Sequence, residues 1–155
     1  YKRQLVNWSV GKLRGKGQAV AALMRREGYP IKDIPAGRDR VLRLLTTTLE
    51  SEKGRWILSA HDQSGQEVQV SGYRNGRWVH RYLDRTFVAD GAYWIPDWKT
   101  AECPEGMDVD TFLQMIASRY RPKMEEYRSA VIDAGIQLPV KPCLYLPAVD
   151  RFLEL

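Results

Sequence analysis

The spacing of apolar residues along this chain changes period twice. Over residues 13–27 the spacing is helical, with Leu13, Val20 and Met24 on one line, and Gly28 followed by Pro30 ends the run. A second helix is expected over residues 39–50, turning Val41, Leu42, Leu45 and Leu49 towards a core. The short apolar run Trp56-Ile57-Leu58 reads as a strand. Beyond it the period drops to two, and residues 66–71, the stretch from Arg77, and the stretch that runs through Tyr82 to Trp98 read as antiparallel strands around the turn pairs Asn75-Gly76 and Asp90-Gly91. After Lys99 a loop with Pro104 and Gly106 leads to a helix that begins near Asp108, is expected to break or kink at Pro122, and ends by Gly135. Residues 141–146 form the last expected strand. This order predicts an α/β (α+β) fold, a mixed sheet with a three-strand antiparallel meander flanked by helices, with no internal repeat or low-complexity linker.

The turn pairs also predict registers. If Asp90-Gly91 is the whole of its loop, Ala89 pairs with Ala92, Asp84 lies opposite Asp97 on one sheet face, and Lys99 shares that face two residues on. A two-residue loop at Asn75-Gly76 pairs Arg74 with Arg77 and sets Glu67 opposite Asp84. Three carboxylates would then stand about 5 Å apart at Cβ, an arrangement that like-charge repulsion disfavours. Lys99 alone cannot neutralise three acids. A bound divalent cation is therefore expected, and hard oxygen ligands suit magnesium, calcium or manganese rather than zinc. Carboxylates on strand faces are also common as solvated surface charges, and a slip of one residue would separate these. The convergence of two independent hairpins on Asp84 favours a functional site.

Composition fits one module. A chain of 155 residues, 44% of them hydrophobic, reads as a single domain over residues 1–155, and no run is long enough to span a membrane. No signal peptide is visible, and a start at Tyr1 in what reads as the lead-in to a helix is expected of a piece of a larger polypeptide. Cys103 and Cys143 lack metal-ligand spacing and suit free thiols in a reducing compartment, hence the cytoplasm. The net charge of +5 points to a polyanionic partner. Its distribution is more telling: Lys12, Arg14, Lys16, Arg25 and Arg26 crowd the first helix, and Arg119, Arg121, Lys123 and Arg128 the later one. Either helix alone reads as a solvated face, whereas two beside an acidic cluster suit a phosphate channel. His61 and His80 are too few and too far apart for a zinc motif; His61 reads as a turn residue, and His80, in strand parity with Asp84, as a surface residue. Trp56, Trp78, Trp94, Trp98 and Tyr93 read mainly as sheet and core packing.

The ordered motifs resemble a known family. Leu83-Asp84-Arg85-Thr86-Phe87-Val88 and Trp94-Ile95-Pro96-Asp97-Trp98-Lys99-Thr100 are similar to the "IDRTFV" and "WIIDYKT" segments of RecB-like PD-(D/E)XK nuclease domains, found at the C-terminus of UvrD/Rep-type helicases and in exonuclease V beta subunits. Residues 120–127 (Tyr-Arg-Pro-Lys-Met-Glu-Glu-Tyr) resemble that family's "YRPQLEXY" helix, and Leu144-Tyr145-Leu146-Pro147 its "LYFP" strand. The stretch from Arg55 to Ser59 and Glu67 also fall where the family has similar residues. The resemblance runs from about residue 10 to residue 155 and implies a restriction-endonuclease-like core. Two positions depart from the pattern. Gln18 stands nearest to the histidine that the family carries on its first core helix, and Lys123 replaces a glutamine. An amide is a poorer metal ligand than imidazole, and a lysine there either contacts phosphate or disturbs metal binding.

The expectation is a magnesium-dependent deoxyribonuclease, with manganese as a substitute, acting in DNA repair and recombination and more in the manner of an exonuclease than of an endonuclease. Asp84 and Asp97 are the expected metal ligands, joined, as the resemblance implies, by the Trp98 carbonyl and less securely by Glu67. Lys99 helps to activate the attacking water and counters phosphate charge. Lys16, Gln18, Arg119, Arg121, Lys123 and Tyr127 are the expected DNA-binding residues. The expected partners are single-stranded DNA or duplex ends and a UvrD/Rep-type helicase domain of the same polypeptide, with no membrane. No phosphate-binding loop is completed by Gly11-Lys12 or Gly15-Lys16, so the helicase ATPase lies outside this segment. The alternatives are a nuclease fold without turnover that binds and guides DNA, and a protein interaction domain of a repair complex.

Overall fold

The computed structural model describes residues 9–13, 15–74 and 76–155; Arg14 and Asn75 of the expected features lie outside the described residues. The chain divides into two compact units, the first running to Ser59 and the second from Ala60 to Leu155.

The first unit is helical. The expected first helix is two pieces, α1 (Val10–Leu13) and α2 (Gly17–Arg26), separated at Gly15 and Lys16, where glycine weakens helix continuation. A 3-10 turn at Ile31–Asp33 leads into α3 (Ile34–Glu50), which starts five residues before the expected Asp39 because Pro35 in its first turn sets a helical φ. The run Trp56-Ile57-Leu58 is not a strand but the end of α4 (Glu52–Leu58). The Ser51 side chain caps that helix, accepting a hydrogen bond from the Gly54 N–H at 3.2 Å, and a local cap overrides a three-residue β preference. Gly54 is needed at its place, since a Cβ there would lie 2.1 Å from the Thr48 carbonyl oxygen of α3.

The second unit is a five-stranded mixed sheet in the order β1-β2-β3-β4-β5, an α/β arrangement compatible with a restriction-endonuclease-like core. Its strands are β1 (Asp62–Arg74), β2 (Arg77–Ala89), β3 (Ala92–Trp98), β4 (Val140–Leu146) and β5 (Arg151–Glu154). The β1–β2–β3 meander is antiparallel, β4 runs parallel to β3, and β5, which the sequence did not predict, closes the edge antiparallel to β4. Both expected registers hold near their turns, where Arg74 pairs with Arg77 and Ala89 with Ala92, but the β1–β2 register slips between Asp62 and Gly65, and neither Glu67 with Asp84 nor Asp84 with Asp97 is an observed pair. Asp90 and Gly91 have φ of 51° and 70°, the left-handed pair that a two-residue hairpin loop requires.

The β2–β3 ladder stops after Phe87↔Trp94. The next position of the same kind would set Arg85 against Pro96, and proline has no N–H to donate. β3 pairs onward with β4 instead, over Tyr93 to Trp98. A second irregularity faces it from β1, where the register is continuous on either side of Glu67 but Glu67 itself has φ 48°. Both Leu83 and Val88 pack into one core cluster although they stand an odd number of residues apart, so β2 changes which parity it turns to the core in this stretch. Asp84 lies there.

The helix α5 (Val109–Asp133) links β3 to β4 and packs on the sheet through Phe112, Leu113, Ile116, Met124, Tyr127, Ala130 and Val131. Asp108 caps it, accepting from the Thr111 N–H at 3.0 Å. It is one continuous helix, contrary to the expected break at Pro122. Pro122 and Ser118, whose carbonyl the proline leaves without its helical donor, are both exposed, on the side of the helix open to solvent.

Candidate functional site

The site grows from the end of β3. Tyr93, Ile95 and Asp97 alternate along one face; Tyr93 and Ile95 sit in the core against α5, which carries Asp97 into a nearly closed environment, 6% exposed. Such a carboxylate needs a partner. Lys99, two residues on, ion-pairs with Asp97 Oδ2, and the Lys99 side chain is itself only 15% exposed. Its backbone N–H donates to the Tyr145 carbonyl at 2.9 Å, which anchors the end of β3 to β4. Its ammonium lies 4.3 Å from the centroid of the Tyr120 ring, so one lysine is held between a carboxylate and a π face.

α5 supplies the opposite wall. Tyr120, Lys123 and Tyr127 fall at the spacing that shares one helix face. The Lys123 ammonium lies 5.1 Å from the Tyr127 ring centroid. Its pKa is raised, chiefly by a hydrogen bond with Tyr127, and further by the charges of Tyr127, Asp97 and Asp84, against an opposing effect of burial. Both acidic residues of the expected pair thus act on one ammonium, and Lys123 stays charged across the neutral range. Asp84 is half-buried on β2, between Leu83 and Arg85, both buried. Burial lowers the pKa of the Arg85 guanidinium, which lies 5.6 Å from the Phe87 ring.

Cys143 of β4 is wholly buried, and its thiol pKa is pushed far up by burial and then by the charges of Glu154 and Asp97. It therefore remains a neutral packing group beside the acidic site.

The other expected residues fall on both units. Glu67 is exposed with a left-handed backbone, and no group of three His, Cys, Asp or Glu side chains among the described residues is arranged to hold a metal ion. Of the expected oxygen donors this leaves Asp84, Asp97 and the Trp98 carbonyl, the last implied by the resemblance alone. Magnesium needs no more, since it keeps several waters and is commonly held by one or two carboxylates together with substrate phosphate. Arg119 and Arg121 are exposed on α5, with Arg119 5.7 Å from the Tyr120 ring, while Arg128 pairs with Glu125 at 3.5 Å. Tyr127 is 6% exposed and lies in the core cluster, so it is not an open DNA-contacting surface residue; it holds Lys123. Lys16, half-buried, and Gln18, exposed, belong to the first unit at the start of α2. His61 is a packing residue, stacked on Phe87 at 4.2 Å and 14°. Tyr120 was not singled out as a site residue by sequence; its seven-residue spacing from Tyr127 is the signal that could have found it.

No protein-family model matches the chain. Over 78 residues, half of this chain, it is 31% identical to one of the subunits of the ATP-dependent helicase/nuclease of Heliobacterium modesticaldum. The chain spans only a small part of that relative, the match covering 6% of the relative's length. Among the described residues no helix is long and apolar enough to cross a membrane. The likeness is thus to one region of a helicase/nuclease polypeptide.

Proposed function

We propose that the second unit is a magnesium-dependent DNA nuclease domain of the RecB-like PD-(D/E)XK kind that works with a helicase in DNA repair and recombination. The observation that carries this reading is the buried Asp97–Lys99 pair at the end of β3, with Asp84 acting on the same Lys123 as Asp97. The partial likeness to a helicase/nuclease polypeptide supports it. Asp97, 6% exposed and ion-paired with Lys99, is not a solvated surface carboxylate.

Asp84, Asp97 and the Trp98 carbonyl would hold the metal, which when bound lowers the pKa of water and offsets phosphate charge. The chain's own residues do the positioning. Asp97 is fixed by its strand and by Lys99, and Lys99 is fixed by Tyr120 and by its backbone bond to β4. In the proposed role Lys99 turns its ammonium from Asp97 towards the attacking water and the scissile phosphate. Lys123 contributes a second fixed positive charge beside the carboxylates, and Arg119 and Arg121 extend a basic surface for the backbone. Exonuclease action, manganese as a substitute and coupling to a helicase domain of the same polypeptide belong to the same proposal.

A second reading, a nuclease fold that only binds and guides DNA, is favoured by Lys123, whose charge occupies the field of both acids. Incubation of the full chain with labelled single-stranded and duplex DNA, with magnesium, with manganese and with chelator, separates the two. Metal-dependent cleavage is expected; binding without cleavage in either metal would leave the guiding role.

A further inference from the structure

The β1–β2 hairpin carries an exposed aromatic face that the packing of the fold does not account for. Two sets of cross-strand pairs alternate along it. Val68↔Leu83 and Val70↔Arg81 turn inward: Leu83 and Val70 are in the core cluster, and Arg81 Nη2 pairs with Glu126 of α5 at 2.8 Å. Tyr73↔Trp78, Ser71↔His80 and Gln69↔Tyr82 turn outward, with Tyr73, Trp78 and Tyr82 64%, 68% and 63% exposed. Burial is worth the most for rings of this size, so three of them left open on one face call for a ligand.

The face is ordered by its own contacts. Tyr73 and Trp78 meet edge to face, with centroids 5.6 Å apart, and Ser71 Oγ hydrogen-bonds with His80 Nδ1 at 2.7 Å. The imidazole is thereby held between Trp78 and Tyr82 along β2. Rings already fixed lose little freedom on binding. Charge indicates which ligand: residues 68–83 contain Arg74, Arg77 and Arg81 and neither Asp nor Glu. An apolar protein partner would ask for aliphatic neighbours, whereas this outward face offers only π surfaces and small polar groups, on a hairpin whose charged residues between 68 and 83 are all basic, with exposed Arg77 next to Trp78 at its end. Aromatic rings that take bases, with cations for the backbone, are the recipe for binding a single strand irrespective of its sequence.

We infer that the outward face of the β1–β2 hairpin is a stacking platform for single-stranded DNA, with Tyr73, Trp78 and Tyr82 receiving bases. The choice of DNA rests on the nuclease reading above. Tyr82 stands two residues before Asp84, about 7 Å along the strand.

The test is the affinity of the full chain for a labelled oligothymidylate, measured by fluorescence anisotropy in chelator so that cleavage plays no part. Trp78→Ala and Tyr82→Ala are each expected to weaken binding about tenfold, and Trp78→Phe to restore most of the loss. An abasic strand of equal length and charge should bind the unaltered protein more weakly still than oligothymidylate binds Trp78→Ala, since it loses all three stacks. Equal affinity for the abasic and thymidylate strands, or unchanged binding by Trp78→Ala, would overturn the platform. Both side chains are exposed, so circular dichroism should show an unchanged fold. Because no metal is present, failure here leaves the nuclease reading standing, and absence of cleavage elsewhere leaves the platform standing.

Discussion

At the scale of single residues, two side chains beside Asp97 both keep their protons more tightly than usual, Cys143 chiefly through burial and Lys123 chiefly through a hydrogen bond with Tyr127. The Cys143 thiol is held neutral far above its ordinary value of 9.0, whereas the Lys123 ammonium is held charged. For Cys143 the linkage runs as a loss at high pH. Above 9.0 the unfolded chain releases a thiol proton that the folded chain keeps, so folding stability should fall by up to about 1.4 kcal/mol per pH unit from this group. Urea titrations at neutral and alkaline pH should show a shallower decline in Cys143→Ala, which lacks the group, than in the unaltered protein. A disulfide reagent should modify half-buried Cys103 in the native chain and reach Cys143 only on unfolding. For Lys123, an ammonium in the field of both carboxylates opposes a second cation. Lys123→Gln is therefore expected to lower the magnesium concentration needed for half-maximal cleavage several-fold. If Lys123 serves chiefly as a phosphate clamp, DNA affinity falls instead and the magnesium requirement does not move.

At the scale of elements, the hairpins were legible and the helix boundaries were not. Asp90-Gly91 announces its loop through a backbone requirement that few residues meet, so the register followed and was found, Ala89 against Ala92. The register could not say where pairing would stop, because that depends on Pro96 sitting at a hydrogen-bonding position and on β3 having a second neighbour in β4. Trp56-Ile57-Leu58 misled because three apolar residues carry no period, whereas the Ser51 cap settles their conformation. Pro122 misled because a helix tolerates proline where the freed carbonyl faces water. The α3–α4 corner allows a direct check. Gly54→Ala adds about 1 kcal/mol of helix preference but drives a Cβ to 2.1 Å from the Thr48 carbonyl. A net loss of about 2 kcal/mol is expected in urea unfolding, and a stabilised variant would show that the corner is loose.

At the scale of the whole molecule, the candidate site lies in the second unit alone: Asp84, Asp97, Lys99, Tyr120, Lys123 and Tyr127 all fall between Ala60 and Leu155. The sequence pointed to the acids and to Lys99 through turn chemistry and alternation, although the β2–β3 ladder ends at Phe87↔Trp94, short of Asp84 and Asp97. It did not show that Asp97 would be shielded by α5, since that needs the β3–α5–β4 crossover to fold back on the sheet. This shielding changes the expected effect of removing Asp97. Relief of repulsion with Asp84 would favour the folded state, but the ion pair with half-closed Lys99 is the larger interaction, and its loss strands a poorly hydrated ammonium. Asp97→Ala should therefore cost stability, by about 3 kcal/mol at most, while remaining folded. The most direct measurement is the rate at which folded Asp97→Ala cleaves labelled DNA in magnesium, beside the unaltered chain. The account predicts metal-dependent cleavage by the unaltered chain and loss of at least about a hundredfold in the variant; cleavage by folded Asp97→Ala at the unaltered rate would contradict it.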